Sequence, residues 1–335
     1  MSNQMTAKFR QCDIALPNQC ILKCKMCNFW QNDLAYEDPG WLGVEEYKRI
    51  LSEIRDFVDD PFCVSFGGGE PLLNDKLLEA AKICRDLNFV TSFPTNAYLI
   101  DQAMAEKIAA AEISSIGISL DSLDRRTHDL LRGKDGCWEK AVSAISLLKK
   151  YRPALSVNIL AVIMGVNLGG IIELARWVYA HPDLHGIVFQ AIQKPFNTSS
   201  PDNWFELAEY AELWPSDRSA VNAVIDELIA LRRSRDRGFK ICNPVSQLEV
   251  FKLYFSNPKG FVKPRRCHLA DNVIRLDSFG NVIACEQMEF LGSAKEANIR
   301  GILYSSKARK IMSSIHNCAK NCYHLVNCFY DGESK

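Results

Sequence analysis

The stretch FRQCDIALPNQCILKCKMC, Phe9 to Cys27, decides how the rest of the chain is read. Its first half, Phe9–Leu16, has the length and apolar content of a strand. Its second half sets Cys20, Cys24 and Cys27 in the spacing C-x3-C-x2-C. A loop this tight lets three thiolates converge on one inorganic centre, and soft thiolates suit zinc and iron–sulfur clusters alike. A structural zinc ion would want four protein ligands, usually as two C-x2-C pairs. Here the local count stops at three, which leaves one corner of a cubane-type cluster open to an outside ligand.

Outward from this stretch, short apolar runs alternate with amphipathic segments as far as residue 193. Strands are expected at Phe9–Leu16, Phe62–Phe66, Phe89–Pro94, Ser115–Leu120, Ala154–Ile163 and Gly186–Ala191. Helices are expected at Val44–Phe57, Lys76–Leu87, Asp101–Ala111, Trp138–Tyr151 and Gly170–Ala180. Strands that alternate with helices make parallel β/α units, and six of them predict an α/β fold, a partial (β/α)6 TIM-like barrel over residues 1–196. In such barrels chemistry collects on the loops that follow strands. A helical connection (197–265) comes next, with helices at Ala220–Arg235 and Gln247–Phe255. A small C-terminal module (266–335) opens on the hairpin pattern DNVIRLDSFGNVIAC, with Gly280-Asn281 between its arms.

A second motif follows the second strand: FGGGEPLL, Phe66 to Leu73. Glycines there let backbone approach a ligand closely, and Pro71 fixes the exit of the turn. Together, the cysteine triad after the first strand and Gly68-Gly69-Glu70-Pro71 after the second resemble the radical S-adenosylmethionine (SAM) superfamily. The resemblance covers residues 9 to about 193. It implies that Cys20, Cys24 and Cys27 hold a 4Fe–4S cluster whose open iron takes the amino and carboxylate groups of SAM. The residue before the third cysteine is often aromatic in the family and is Met26 here, an apolar substitute. The Gly-Gly-Glu-Pro turn would hold the cofactor's amino group. Thr95-Asn96-Ala97 is similar to the family's Thr-Asn-Gly, with alanine in place of glycine. Ser119 and Asp121 fall where the family places polar contacts to ribose and methionine, and Arg132 is a candidate for the methionine carboxylate or else a solvated helix-end charge. Asn158, Val162 and Gln190 fall where adenine contacts occur or, equally, where strands pack.

The thirteen cysteines are unevenly spread. Cys12, Cys63, Cys84, Cys137 and Cys242 are isolated and read as small buried side chains. Cys267, Gly280 and Cys285 form C-x12-G-x4-C, which resembles the opening of the SPASM and twitch domains that carry auxiliary 4Fe–4S clusters. Cys318, Cys322 and Cys328 close the pattern. Only seven residues follow Cys328, so one auxiliary cluster is expected, ligated by Cys267, Cys285 and two of the last three. Cys318 and Cys322 are favoured, leaving Cys328 as ligand, packing residue or catalytic hydrogen donor; a structural zinc site is the alternative.

Composition excludes other classes. Forty basic and forty acidic residues give a formal net charge of zero, which offers no footprint for nucleic acid. The most apolar stretch, Leu155–Val178, is broken by polar residues and glycines and reads as strand, loop and helix, not a membrane span. The N-terminal stretch MSNQMTAKFRQCD lacks the apolar core of a secretory signal, so a cytoplasmic setting is expected, where clustered cysteines more often bind metal than form disulfides. The resemblance therefore implies an enzyme that cleaves SAM reductively, abstracts hydrogen from a substrate and oxidises it with help from the auxiliary cluster. Its electron donor would be a carrier such as flavodoxin or ferredoxin. With only about ten residues before the first strand, a sugar- or aminocyclitol-like small molecule is the favoured substrate. A peptide delivered by a partner, or a non-catalytic iron–sulfur electron-transfer role, are the alternatives.

Overall fold

The computed structural model of the chain describes residues 9–31, 40–195, 201, 203–234, 239–259, 267, 269–318, 322 and 324–327. The six apolar runs become six parallel strands: β1 (Gln11–Ala15), β2 (Cys63–Gly67), β3 (Val90–Thr95), β4 (Ser115–Ser119), β5 (Ser156–Ile163) and β6 (Gly186–Ala191). Register sets branched and aromatic residues side by side, with Ile14 beside Phe66, Phe93 beside Ile116, and Ile118 and Ile187 flanking Ile159. Such side chains fit a pleated, half-buried surface. In β5 the alternation is strict: Val157, Ile159, Ala161 and Ile163 are buried, while Asn158, Leu160 and Val162 on the other face are half-buried. The strands curve into an open, incomplete barrel.

Helices α1 (Val44–Arg55), α2 (Leu77–Asp86), α3 (Gln102–Ala110), α4 (Arg125–Arg132), α5 (Cys137–Tyr151) and α6 (Ile171–Ala180) connect the strands. In α1, Tyr47, Ile50, Leu51 and Ile54 are buried at the three- and four-residue spacing that forms one helix face. Helix α4 is absent from the sequence-based expectation. It begins at the N-cap Asp124, whose carboxylate accepts from the Thr127 amide at 2.7 Å, and ends at Gly133 with φ +66°.

The connection forms α7 (Arg218–Arg233) and α8 (Val245–Ser256), within two residues of the expected spans. Beyond it come α9 (Leu269–Asn272), β7 (Val273–Leu276), β8 (Asn281–Val282), β9 (Gly292–Ser293), α10 (Ile299–Leu303), α11 (Ser306–His316) and α12 (His324–Asn327). The expected hairpin exists, but its turn is Asp277–Gly280. Gly280 has φ +86°, the Asp277 carboxylate accepts from the Phe279 and Asn281 amides, and Asn281 already belongs to the second arm.

The hairpin also has a partner that no local pattern announces. Strand β7 lies parallel to β1, with Cys12 beside Ile274, so one nine-stranded sheet runs β6-β5-β4-β3-β2-β1-β7-β8-β9. An unpaired β1 edge would expose a row of backbone donors and acceptors, and β7 satisfies them. At the opposite edge Ile241 bridges to Ile187 of β6. Among the described residues, no helix is long and apolar enough to cross a membrane.

Candidate active site

Strand ends and their loops enclose a cavity of about 310 Å³. Cys20, Cys24 and Cys27 line it together with Gly68, Gly69, Glu70, Thr95, Asn96, Ser119, Arg132, Val162 and Gln190. Residues separated by as many as 170 positions thus meet in one place, at the strand ends where barrel chemistry is expected. Burial raises all three thiols, Cys20 to about 11, so each carries a proton that a metal centre must displace. Among the described residues no three His, Cys, Asp or Glu side chains close on a single ion. Three thiols on one cavity wall are the donor set of a cubane with one open corner, and one short of a four-coordinate structural zinc.

The loop that bears these cysteines is held by backbone contacts. The Glu70 amide donates to the Gln19 carbonyl at 2.7 Å. A Cβ on Gly69 would lie 2.0 Å from that carbonyl oxygen, and one on Gly68, which has φ +133°, would lie 2.5 Å from the Leu16 oxygen. Both glycines line the cavity, yet they are required by the chain's own backbone. From the other side, the Lys25 amide donates to the Leu131 carbonyl at 2.9 Å, and a Cβ on Gly133 would meet the Lys23 oxygen at 2.2 Å. Helix α4 therefore supports the cysteine loop. The sequence carried a signal for it, an N-capping Asp124 and a terminal Gly133 nine residues later.

Glu70 is buried and already engaged. Its Oε1 accepts from the Thr95 hydroxyl at 2.7 Å and the Leu72 amide at 3.2 Å, and its Oε2 accepts from the Asn96 amide at 2.8 Å. Burial raises its carboxyl above the usual range, against the pull of these three hydrogen bonds. Two carboxylate oxygens have about four acceptor sites, so capacity remains for one donor from the cavity. Thr95 thus reaches the site by orienting Glu70. Ala97 follows with φ +62° and no exposed surface, and its amide donates to the Thr95 hydroxyl at 2.9 Å. That left-handed backbone is the reason glycine suits the position. Pro71 does not line the cavity; it starts the short 3-10 turn Pro71–Leu73 that Glu70 caps.

Arg132 is not a solvated charge. Its side chain is 12% exposed, pairs with the Asp121 carboxylate at 2.7 Å and hydrogen-bonds to the Cys24 thiol. Desolvation lowers its pKa, but the charges of Asp121 and Cys24 outweigh that and leave it raised. In return Arg132 opposes the upward push of burial on Cys24. Asp121 does not line the cavity. It is buried, with Oδ1 accepting from the Val162 amide at 2.9 Å, and its backbone carbonyl accepts from Asn167 at 2.7 Å. Its backbone amide donates to Nδ1 of buried His128, whose pKa burial lowers to about 4. Asn158 also stands apart. It sits near the start of β5, away from the cavity, and donates to the Ser115 and Ser156 hydroxyls.

Beyond the sequence-based set, Phe29, Trp30, Gln193 and Asn327 line the same cavity. Asn327 of α12 closes a pair of hydrogen bonds on the backbone of Ala191, 2.9 Å from its amide and 2.8 Å from its carbonyl, and donates to Gln193. No local signal announces a contact across 136 residues.

In the C-terminal region, Cys267 is raised by burial, opposed by the Leu269 amide, and raised further by the nearby Cys285 and Cys318 thiols. Cys285 accepts from the Gln287 amide at 3.4 Å. Cys322 is half-buried just before α12. Cys285 and Cys318 thus each lie within electrostatic reach of Cys267, while Cys328 falls outside the described residues.

An incomplete parallel β/α barrel, with three thiols on the loop after β1 and a buried glutamate on the loop after β2, defines the architecture of a radical SAM domain. Residues 14–178 match the family model of the Radical SAM superfamily, and this segment is a radical SAM domain. Fe-coproporphyrin III synthase of Methanosarcina barkeri is 32% identical over 130 residues, 39% of this chain and 31% of that protein. PqqA peptide cyclase of Granulibacter bethesdensis is 29% identical over 144 residues, 43% of this chain and 37% of that one. The matched stretch spans about a third of the length of these curated relatives. Among solved structures, Streptococcus suis SuiB bound to S-adenosylmethionine shares the fold with a TM-score of 0.66 at 19% identity, over 92% of this chain and 68% of that one.

Proposed function

We propose that the chain is a radical SAM enzyme, with Cys20, Cys24 and Cys27 holding a 4Fe–4S cluster and Glu70, Asn96, Ser119 and Arg132 arrayed around the cofactor. The observation that carries this reading is the convergence of those seven side chains on one cavity. A 4Fe–4S cluster held by Cys20, Cys24 and Cys27 would supply the one-electron reduction needed for homolytic cleavage of SAM and hydrogen abstraction from a substrate. The chain's own residues do the positioning. Glu70, fixed by Thr95, Leu72 and Asn96, offers its remaining acceptor capacity to an ammonium group. Arg132, held against Cys24 by Asp121, offsets part of the cost of deprotonating that thiol and presents cationic edge to a carboxylate. Leu160, Val162 and Ile192 make the wall apolar and restrict water.

The relatives carry names for a porphyrin product and for a peptide substrate. What the segment shares is the SAM chemistry, and substrate choice belongs to the mouth. We read the substrate as small and polar, in keeping with the amides of Gln190, Gln193 and Asn327. We also assign Cys267, Cys285, Cys318 and Cys322 to an auxiliary 4Fe–4S cluster, supported by the proximity of Cys285 and Cys318 to Cys267. The test is anaerobic reconstitution followed by dithionite reduction with SAM and assay of 5′-deoxyadenosine by mass spectrometry. The unaltered chain should form it and Cys24→Ala should not; formation by that variant at the unaltered rate would overturn the assignment. Iron should come to about eight per chain, and Cys267→Ala should lower it to about four.

A further inference from the structure

One side of the cysteine loop carries charge that the cavity does not use. Lys23 immediately precedes Cys24 in sequence, and the close approach of Gly133 to the Lys23 carbonyl brings Lys134 beside it. The Lys134 ammonium lies 4.3 Å from the Tyr98 ring centroid, Lys140 lies 5.8 Å from the same ring, and Lys23 lies 5.6 Å from the Trp30 ring. All three lysines are exposed, and among the described residues none is joined to a carboxylate. The neighbouring cations differ: Lys25 pairs with Glu212, and Arg125 pairs with Glu139. Asp135 and Glu139 adjoin Lys134 and Lys140 in sequence, and Glu139 is taken up by Arg125.

The patch stays close to the thiols without entering the cavity. The Tyr98 amide donates to Asn96 Oδ1 at 2.9 Å, and the Asn96 side-chain amide reaches the Cys20 sulfur at 4.0 Å. Lys23, Tyr98, Lys134 and Lys140 are not among the cavity's lining residues, so a molecule inside does not meet them. Ring contacts restrain the ammonium groups while leaving their charge in solvent. Such an arrangement attracts and orients an anionic protein surface.

We propose that Lys23, Lys134 and Lys140 form the docking face for an acidic one-electron carrier protein that reduces the centre held by Cys20, Cys24 and Cys27. The inference rests on the function proposed above. One electron leaves the carrier's reduced flavin or iron–sulfur group, which is oxidised by one electron, and enters the cysteine-held centre, which is reduced by one. No atom is transferred.

The test compares the reconstituted chain with its Lys23→Glu/Lys134→Glu/Lys140→Glu variant, using a purified acidic flavodoxin as the probe. Binding is titrated at low and high salt, and SAM cleavage is driven either by the reduced flavodoxin or by dithionite. Steering by local charge changes association by tenfold or more, so the triple reversal should weaken flavodoxin binding and flavodoxin-driven cleavage at least about tenfold. It should also flatten the salt dependence. Dithionite-driven cleavage should stay unchanged, because a small reductant needs no docking face. The corresponding triple Gln variant should fall between, and it replaces the reversal if that fails to fold. Unchanged flavodoxin affinity would overturn the proposal. So would an equal loss with dithionite, which would assign the lysines to the fold or to an acidic substrate. If the unaltered chain cleaves no SAM with dithionite, the proposed function fails, while the binding titration still reads the docking face independently.

Discussion

Replacing Glu70 with glutamine tests whether this residue joins two loops before it meets any cofactor. The native carboxylate accepts three hydrogen bonds, from Thr95, Leu72 and Asn96. A glutamine amide has one acceptor oxygen. If its nitrogen takes the Oε2 position, the Asn96 amide faces a donor. If it takes the Oε1 position, the Leu72 amide does, and the Thr95 hydroxyl must also reorient while it accepts from Ala97. Either way one buried N–H loses its partner, at a cost of about 1–3 kcal/mol. At roughly 2 °C per kcal/mol for a chain of this size, Glu70→Gln should melt about 2–6 °C lower without SAM present. Loss of a charge-assisted contact to the cofactor ammonium should separately weaken SAM binding by about 1.5–3 kcal/mol, some ten- to hundredfold. Differential scanning fluorimetry reads the first effect and isothermal titration of the cluster-loaded protein the second. A thermal shift should couple non-additively with Thr95→Val. An unchanged melting temperature would refute the bridging role, and unchanged SAM affinity would refute the cofactor contact.

Three further outcomes are expected. Ala97→Gly should raise stability by up to about 1 kcal/mol, since relief of about 1–2 kcal/mol at φ +62° outweighs one lost methyl of about 0.8 kcal/mol, whereas Ala97→Val should lower it; urea midpoints check both. Asp121→Asn leaves Arg132 as a buried cation without its carboxylate and should cost about 3–5 kcal/mol in urea unfolding, with lower iron uptake at Cys24. His128 has a native pKa lowered to about 4, so the unfolded chain binds its proton more tightly. Its contribution is present above pH 6.5 and is lost as pH falls toward 4, roughly 3 kcal/mol in all, and His128→Phe should flatten that part of a stability–pH profile.

Much of the site was legible because its chemistry is carried by local patterns. A three-cysteine loop must follow a strand to face the barrel mouth, and both facts lie within Phe9–Cys27. Glu70 and Asn96 follow their strands, Thr95 and Ser119 end theirs, and all four line the cavity. Asn158 shows the limit of such reading. Strand alternation gives its face correctly, but height along the strand decides whether it meets the cavity or the hydroxyls of Ser115 and Ser156. Asp121 and Arg132 show another limit, because a carboxylate and a guanidinium that could each face a ligand are instead paired with one another.

By itself the sequence determined the parallel barrel, through six alternating strand and helix periods, and the composition of the thiol site, through the spacing of Cys20, Cys24 and Cys27. Only the tertiary structure decided that Gly68, Gly69 and Gly133 are small because two other loops press on the cysteine loop. It alone joined β7 to the open edge of β1 and set Asn327 against Ala191. The physical reason is one of range. Side-chain periodicity and ligand spacing are properties of a few consecutive residues, whereas edge pairing, backbone approach and buried ion pairs depend on which distant groups remain unsatisfied once the strands have packed.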